Sequence, residues 1–514
     1  MRLGVLGAAI SLLLGTSLAE SNLTTPQSTR QILQGDFKPP QVWENANLVR
    51  NTNLEKSYVR ETVNLVIKNT DKSPQSEYYF PFDYDVIGNV GGFEVRNRND
   101  DTKTKFKVTT AALAAVLDGD VSSKPTQYFV IHLPTPVQSE DSITLSISYH
   151  LLNSLMPLPA AIKQDEKQYL TYSFSAYFPS AYPTLKQKTK LKSPSADVPE
   201  YSTTKGLTKS ADPTKEGSAL TYGPYDTTTP PFTSHPVTVR YEFTKPVLLS
   251  TTLSRSLEVS HWGGNLATED HYALTNTGAH LSNHFSRVSW ATQNFYVQSN
   301  QISTPALRQL NLALPALSAD PYYTDDIGNV STSRFRPTPR TSPTRPANLE
   351  LKPRYPLFGG WNYTFRIGWN APLSSYVRAL AAKPSTYVLR APLLSPPVNP
   401  EGLSIGAYSL DVLLPEGATI QSHEIVGPSL PDFEVEEGTT KTFMDTTLGR
   451  TRLTLKARNV VDEIRDAELL VTYEYTTAAA LRKPLSIVAG FVAVFVVLWA
   501  VGQLDTSIGK KKVA

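Results

Sequence analysis

The sequence has 514 residues but no cysteine, and only 18% of its residues are charged. Without cysteine the chain can form no disulfide scaffold, thiolate zinc site or iron–sulfur cluster, and it has no cysteine nucleophile. The formal net charge of +3 is too small to favour nucleic-acid binding. Apolar residues, at 40%, suffice for sizeable cores, and at about 100–200 residues per domain the length predicts roughly two to four domains.

The start of the chain has the features of a secretory signal peptide. Arg2 supplies a positive charge, residues 3–18 form an apolar run, and small side chains lead up to Ala19. A run of this length that ends in an A-x-A-like site predicts cleavage between Ala19 and Glu20, which removes residues 1–19. A membrane anchor is the alternative, but the run is short for that role.

A second apolar run extends from Leu485 to Gly502 without a single charge. As a helix it would span about 27 Å, which is close to the hydrocarbon thickness of the endoplasmic reticulum bilayer. A buried core helix is the alternative, but core helices are rarely apolar on every face. A cleaved signal followed by one late span predicts a single-pass type I protein, with residues 20–484 in the lumen and residues 503–514 as a cytosolic tail.

The tail ends in a run of three lysines followed by two further residues. Lys511 and Lys512 lie four and three residues from the C-terminus, which matches the dilysine retrieval signal of type I proteins of the endoplasmic reticulum. We therefore predict residence in the endoplasmic reticulum membrane. Because the excess positive charge lies in the signal and the tail, the lumenal part is formally neutral and gives no reason to expect electrostatic capture of a strongly charged partner.

Alternation of apolar and polar residues is the dominant pattern of the lumenal chain. Strands of this kind bury one face and expose the other, and the 39 prolines fit the short turns of sandwich folds. We therefore expect a mainly β protein of β-sandwich-like domains, and residues 111–117 and 375–382 as the candidates for short helices. The alternation is clearest in residues 59–67, 143–149, 237–244 and 469–475.

Three short segments of the lumenal chain recur at similar offsets and in the same order. This weak repeat predicts two tandem β modules, residues 20–250 and residues 251–484. The recurring pairs are 67–70 with 274–277, 87–90 with 327–330, and 239–244 with 471–476.

Two segments, residues 193–220 and 333–353, are rich in proline and small polar residues. Their low apolar content offers little to offset the entropy of ordering them. Because both lie inside the expected modules, we interpret them as poorly ordered insertions.

The sequence Gly-Leu-Ser-Ile-Gly at 402–406 is the strongest enzymatic motif. A nucleophile elbow needs a strand before its serine and a helix after it. Here a strand-like run, residues 408–414, follows Ser404, and His423 is the only histidine downstream. That spacing is too compressed for a hydrolase triad, so we interpret the motif as a loop.

Four histidines fall within 24 residues: His261, His271, His280 and His284. The last two have helical ligand spacing, but no glutamate between them supplies the general base of a zinc protease. We interpret all four as surface or core histidines. The sequence thus predicts no catalytic residue, no metal site and no cofactor.

Four lysines at positions 186, 188, 190 and 192 alternate with other residues. In a strand they would lie on one face, which is typical of a solvated edge strand that resists aggregation. A surface for anionic lipid or for a partner is the alternative.

Three asparagines lie in Asn-X-Ser/Thr sequences, namely Asn22, Asn329 and Asn362. N-glycosylation of these sites fits a lumenal chain. Asn22 would be the third residue after signal cleavage.

Seven segments in chain order resemble the ribophorin I family, subunit 1 of the eukaryotic oligosaccharyltransferase complex. They cover nearly the whole lumenal chain and include rare tryptophan and histidine contexts. The two proline-rich insertions suggest a fungal-type member. The segments are LEKSYVRE (54–61), SEYYFPF (76–82), YGPY (222–225), EVSHWGG (258–264), YYTDDIGNVSTS (322–333), RYPLFGGW (354–361) and LPEGA (414–418).

The resemblance implies a non-catalytic subunit that supports transfer of a preassembled glycan from dolichyl diphosphate to asparagine in nascent chains. The family's catalytic partner is a polytopic subunit with a Trp-Trp-Asp-Tyr-Gly motif, whereas the six tryptophans of this chain are never adjacent. The implied partners are the other subunits and nascent polypeptides, with the translocon as a further candidate. Asn329 matches the family's own sequon, whereas Asn362 does not.

Two other functions remain open on the sequence. A cargo receptor or folding chaperone of the early secretory pathway would share the topology and the retrieval signal. A lumenal hydrolase would depend on Ser404.

Overall fold

The residues that the structure describes are mainly β, with a long helix near the C-terminal end. This confirms the predicted fold class of β modules followed by one C-terminal helix. The computed structural model describes residues 31–33, 37–98, 105–113, 126–204, 207, 212–296, 303–428, 430–442, 445 and 449–503.

The first sixteen strands that the structure describes, together with the short helix α1, are here called the N-terminal set. Their bounds are β1 Gln31–Leu33, β2 Trp43–Asn53, β3 Val59–Asn69, β4 Gln75–Asp83, α1 Tyr84–Ile87, β5 Val90–Asn97, β6 Lys107–Leu113, β7 Thr126–Val137, β8 Ser142–Leu151, β9 Met156–Pro157, β10 Ala161–Ile162, β11 Tyr169–Ser175, β12 Gln187–Lys192, β13 Glu200–Tyr201, β14 Thr214–Glu216, β15 Ala219–Tyr225 and β16 Pro236–Glu242.

The remaining sixteen described strands, together with helices α2 and α3, are called the C-terminal set. Their bounds are β17 Leu248–Ser260, β18 Asn265–Asn276, β19 His280–Leu281, α2 Arg287–Tyr296, β20 Leu310–Leu314, β21 Ala319–Asp325, β22 Gly328–Asn329, β23 Ser333–Arg336, β24 Ala347–Leu351, β25 Asn362–Pro372, β26 Val377–Leu380, β27 Lys383–Pro392, β28 Ser404–Glu416, β29 Thr419–Val426, β30 Glu434–Thr440, β31 Arg450–Val461, β32 Glu468–Glu474 and α3 Thr477–Gly502.

The four segments with the clearest alternation lie in β3, β8, β16 and β32, so the strand predictions there are confirmed. In β3 the apolar positions Val59, Val63, Leu65 and Ile67 are completely buried, while Arg60 is exposed. The alternation therefore indicates which face of each strand packs against a hydrophobic core.

The two sets repeat the same arrangement of strands. The N-terminal set has a sheet ordered β14-β15-β12-β2-β3-β8-β5, and the C-terminal set has one ordered β30-β31-β28-β17-β18-β25-β21-β22. In each sheet one neighbouring pair is parallel, β12 with β2 and β28 with β17. A second sheet, ordered β13-β16-β11-β9, likewise corresponds to β29-β32-β27-β26.

Two of the three sequence echoes fall at corresponding places in this arrangement. Asn69 ends β3 and Asn276 ends β18, and the buried side-chain amide of each donates to two backbone carbonyl groups outside its own strand. The echo of 239–244 with 471–476 covers the corresponding strands β16 and β32. The third echo does not correspond, because residues 87–90 precede β5 whereas 327–330 follow β21.

The buried apolar residues form two large clusters that divide along the chain. One cluster extends from Trp43 to Val247, and the other extends from Leu248 to Ala479. The division into modules 20–250 and 251–484 stays a prediction, and both the clusters and the matched strand orders support it. β17 crosses the proposed boundary, because it begins at Leu248.

The prediction that residues 193–220 and 333–353 are poorly ordered loops is wrong for their described parts. The first segment contains β13 and β14, and the second contains β23 and β24. In the second, Leu349 and Leu351 are buried in the C-terminal cluster. A few apolar residues at alternate positions are enough, because neighbouring strands supply the hydrogen bonds that order the backbone.

Two helix predictions and one edge-strand prediction are also wrong. The described part of 111–117 belongs to β6, and 375–382 contains β26. The alternating lysines do lie on the more exposed face of β12, but this strand is internal, between β15 and β2. Pairing with other strands of a sheet decided all three outcomes, and helix propensity or charge did not.

Candidate functional site

The two strand sets meet at a buried cluster of charged and aromatic groups. The Tyr58 hydroxyl donates to Asp462 Oδ1 at 2.6 Å, and Lys56 Nζ lies 3.1 Å from both oxygens of the same carboxylate. Beside them, His150 Nε2 lies 3.2 Å from Glu463 Oε2. Tyr58 and Asp462 are almost completely buried, so these contacts join residues 313–406 positions apart in a water-poor environment.

The electrostatics of this inter-set cluster favour the ionised form of Glu463. Burial alone would raise the pKa of the Glu463 carboxyl, but the hydrogen bond and charge of His150 oppose it. Together with the charges of Arg60 and Lys56, they lower this pKa to about 2. Glu463 is therefore a fixed negative charge at neutral pH, held between groups of the N-terminal set.

A cavity of about 510 Å³ opens beside this cluster. Its walls are mostly charged and polar, so it suits a polar group of a partner better than an apolar ligand. The lining residues include Lys56, Arg60, Glu55, Lys245 and Glu463.

Asn459 makes a second contact between the sets, from β31 to the start of β5. Its side-chain amide donates to the carbonyl groups of Gly88 at 2.7 Å and Val90 at 3.0 Å. The backbone of Asn459 has φ +54°, a left-handed conformation that asparagine tolerates better than most residues. Its side chain and backbone thus both serve this contact.

Each strand set contains a buried arginine–carboxylate pair on its central hairpin. In the N-terminal set Arg50 contacts Glu61 at 2.5 Å, and in the C-terminal set Arg255 contacts Asp270 at 2.7 Å. In both sets the arginine also donates to a backbone carbonyl of the second sheet, Ser175 or Pro392. These pairs therefore tie the two sheets of each set together.

The C-terminal helix α3 begins eight residues before the predicted span and is attached to the C-terminal set. The Thr476 hydroxyl caps it by accepting from the amide of Ala479, which is itself buried. Lys483 forms an ion pair with Asp445. The apolar remainder, beyond Pro484, is exposed over its whole length. Within the described residues this is one helix long and apolar enough to cross a membrane.

The two predicted glycosylation sites within the described residues are both exposed. Asn329 ends the short strand β22, and Asn362 begins β25. Asn362 also borders a shallow cavity of about 290 Å³, which Tyr355 and Trp361 line. Either side chain is therefore free to carry a glycan. Asn22, Ala19, Glu20, Lys511 and Lys512 lie outside the described residues.

The serine of the enzymatic motif has a structural role. Ser404 is buried at the start of β28, and its hydroxyl donates to the carbonyl of Leu248 at 2.9 Å. The loop prediction is thus wrong from Ser404 onward. His423 lies on β29, in a different sheet from Ser404. The arrangement lacks the strand–turn–helix of a nucleophile elbow.

The histidines are dispersed among unrelated contacts. His261 Nε2 lies 2.8 Å from the Tyr473 hydroxyl, and His280 lies on β19, so His280 and His284 do not share a helix. Among the described residues no group of three or more histidine, aspartate or glutamate side chains is arranged to hold a metal ion.

Sequence reasoning missed the inter-set cluster and Asn459. A signal for part of it was present, because Lys56, Tyr58 and Arg60 all belong to the segment LEKSYVRE at 54–61. Their acidic partners could not be found in this way, since those lie about 400 residues later, in a 3-10 turn just before β32.

Comparison with known proteins agrees with this architecture. A sequence model described as Ribophorin I matches residues 43–502. A protein of Caenorhabditis elegans named dolichyl-diphosphooligosaccharide–protein glycosyltransferase subunit 1 is 30% identical over 91% of this chain and 73% of its own length. The protein of the same name in Schizosaccharomyces pombe is 31% identical over 87% of this chain and 92% of its own length.

Solved structures offer only a slight likeness. Native yeast LTA4 hydrolase has a TM-score of 0.24 and 10% identity over 42% of this chain and 31% of its own. A likeness of this size carries no conclusion about fold or activity.

The repeated sheets, the exposed apolar helix and its capped attachment together define a β-rich protein that has, within the part of the chain described by the structure, one candidate membrane span. The chain belongs to the ribophorin I family, which is matched from the first long strand to the end of α3.

Proposed function

We propose that the protein is a non-catalytic subunit of the glycosyltransferase complex that moves a preassembled glycan from dolichyl diphosphate to asparagine in Asn-X-Ser/Thr sequences. The observation that carries this proposal is the match to the ribophorin I family over residues 43–502. Relatives named as subunit 1 of that complex cover most of the chain. The buried hydrogen bond of Ser404 argues against the hydrolase alternative.

The architecture supports a scaffolding role in the lumen. Most of the polar surface lies on two strand sets that share buried hydrogen bonds, and one helix attaches them to the membrane. In this proposal the strand sets bind other subunits, including the polytopic catalytic subunit, and hold nascent polypeptides near it. The translocon is a further candidate partner.

The same proposal includes the topology and the modifications. The signal is cleaved between Ala19 and Glu20, residues 20–484 are lumenal, and Lys511 and Lys512 return the protein to the endoplasmic reticulum. Asn22, Asn329 and Asn362 carry N-glycans. The exposure of Asn329 and Asn362 supports this assignment, because a glycan needs an acceptor side chain that solvent reaches.

Depletion of the protein tests the proposal. We expect incomplete occupancy of sequons in secreted glycoproteins, measured by mass spectrometry, and recovery when the full chain is restored. A chain in which α3 is replaced by an unrelated apolar helix is the matched control for membrane attachment alone. Normal occupancy after depletion would refute the proposed function.

Isolation in mild detergent tests the partners. A stable complex with a polytopic glycosyltransferase subunit is the expected result. Recovery of transient client proteins alone would instead favour the cargo receptor or chaperone alternative.

A further inference from the structure

Trp262 is conspicuous because this large residue is 67% exposed although it lies in a tight turn. The turn joins β17 to β18, and Gly264 has φ +63°, which a side chain would strain. Gly263 lies so close to Asn265 Oδ1 that a Cβ atom would fall 2.5 Å from it. The two glycines thus permit a tight reversal that presents the indole outward.

The indole N–H donates a hydrogen bond to the first turns of α3. Trp262 Nε1 donates to the carbonyl of Ala480 at 3.1 Å. In a regular helix that carbonyl accepts from the amide four residues on, but residue 484 is proline and has no N–H. The tryptophan therefore supplies the donor that Pro484 withholds.

This contact fixes the height of the indole relative to the apolar span. Ala480 lies five residues before Leu485, which corresponds to about 7.5 Å along the helix axis. The polar headgroup layer on each side of a bilayer is roughly 5–7 Å thick. The distance along the helix exceeds the thickness of the headgroup layer by less than the width of an indole ring. The ring therefore lies at the level of this layer. Leu481, the next residue of α3 after Ala480, has an exposed side chain one helix turn before Leu485.

The helix cannot readily tilt away from this position. The ion pair of Lys483 with Asp445 and the packing of Ala479 in the C-terminal cluster hold its first turns on the C-terminal set. Tryptophan has an apolar ring and a polar N–H, and it is enriched at membrane interfaces for that reason.

We propose that Trp262 and Leu481 form a membrane-interface seat, in which the indole lies in the phospholipid headgroup layer and holds the C-terminal strand set at a fixed orientation on the bilayer. The continuity of this patch with the apolar surface of α3 identifies the bilayer as its occupant. The proposal requires that α3 spans the membrane, but it does not require a role in glycan transfer.

Quenching by brominated lipid tests the position of the indole. The full chain with Trp499→Phe is placed in nanodiscs, with lipid bromine near the headgroup, and compared with the same chain carrying Trp262→Phe. We expect quenching that the second substitution removes. Trp361→Phe, in the aromatic cavity of the lumenal surface, is the matched control and should leave the quenching unchanged. Quenching that persists without Trp262, or is absent with it, would overturn the proposal.

A double-mutant cycle tests the hydrogen bond itself. Trp262→Phe keeps the ring but removes the donor, and Pro484→Ala restores a helical donor for Ala480. Loss of one hydrogen bond predicts about fivefold faster amide exchange in residues 477–483 for Trp262→Phe. With Pro484→Ala present, the same change should have little effect. Equal effects in both backgrounds would show that Trp262 does not replace the missing donor.

If a partner subunit covered the seat instead of lipid, a spin label at position 481 would report it. The chain has no cysteine, so Leu481→Cys gives a unique label. In the nanodisc its relaxation should respond to lipid-soluble oxygen, and this response should persist in the assembled complex. Loss of the response on assembly would refute the bilayer as the occupant.

Discussion

The buried pair of Arg50 and Glu61 makes the stability of the N-terminal strand set open to a quantitative test. Glu61 is completely buried, and it accepts from Arg50 at 2.5 and 3.0 Å and from the hydroxyls of Tyr149 at 2.5 Å and Tyr172 at 2.7 Å. Burial would raise the pKa of the Glu61 carboxyl, but Arg50 and the two tyrosines lower it overall. The carboxylate is thus ionised, and its charge is matched by one guanidinium.

The substitution Glu61→Gln preserves the shape of the side chain but leaves Arg50 as a buried charge without a counterion. Breaking a buried pair in this way costs about 3–5 kcal/mol. For a cooperative unit of about 150–250 residues, 1 kcal/mol lowers Tm by about 2–4 °C. The expected decrease in Tm is therefore roughly 6–20 °C. Replacing both residues, as Glu61→Gln with Arg50→Met, should recover much of this loss, because no unpaired charge remains.

Thermal unfolding of the full chain in detergent, followed by circular dichroism, measures these changes. The control is Glu200→Gln, which removes the exposed carboxylate that lies 3.6 Å from Arg240, a pair worth about 0–1 kcal/mol. If Glu61→Gln lowers Tm no more than this control, the reasoning about buried charge is wrong. Additive losses in the double variant would contradict it as well.

Three further predictions concern the inter-set contacts and the glycans. Glu463→Gln should lower Tm at pH 7, and the decrease should become smaller between about pH 5 and pH 2. The reason is that the folded pKa of Glu463, about 2, lies below the unfolded value, so its stabilisation is lost as the carboxylate protonates. A decrease in Tm that does not depend on pH would contradict this. Asn459→Ala should lower the free energy of unfolding, measured with denaturant, by about 1 kcal/mol more than Asn459→Gly does, because glycine adopts the left-handed backbone conformation without strain. Equal losses for the two variants would rule out a backbone contribution. Asn362→Gln and Asn329→Gln should each increase gel mobility by one glycan, and mobility that already matches enzymatically deglycosylated protein would exclude glycosylation.

Several features of the protein follow from local sequence alone. The strands β3, β8, β16 and β32 were predictable because burial on one face imposes a period of two on neighbouring residues. The apolar stretch of α3 was predictable because a membrane span must be uniformly apolar. Family membership followed from short segments whose order along the chain matches.

Other features were decided only when distant segments came together. Tyr58 meets Asp462 across 404 positions, and Trp262 meets Ala480 across 218. Local patterns state which face of a strand is buried, but they do not state which strand lies beside it. For this reason the lysine strand β12 proved internal, and the segments 193–220 and 333–353 proved to contain strands.

The sequence by itself determined the β class, the apolar C-terminal helix and the family, because these depend on the spacing of residues that are near one another in the chain. The tertiary structure decided where the two strand sets join and how the C-terminal helix is attached. Both contacts depend on a polar group that hydrogen-bonds to a distant segment, namely the buried carboxylate of Asp462 and the carbonyl of Ala480. A polar group of this kind must find its partner wherever the fold places one, however far away it lies in the sequence.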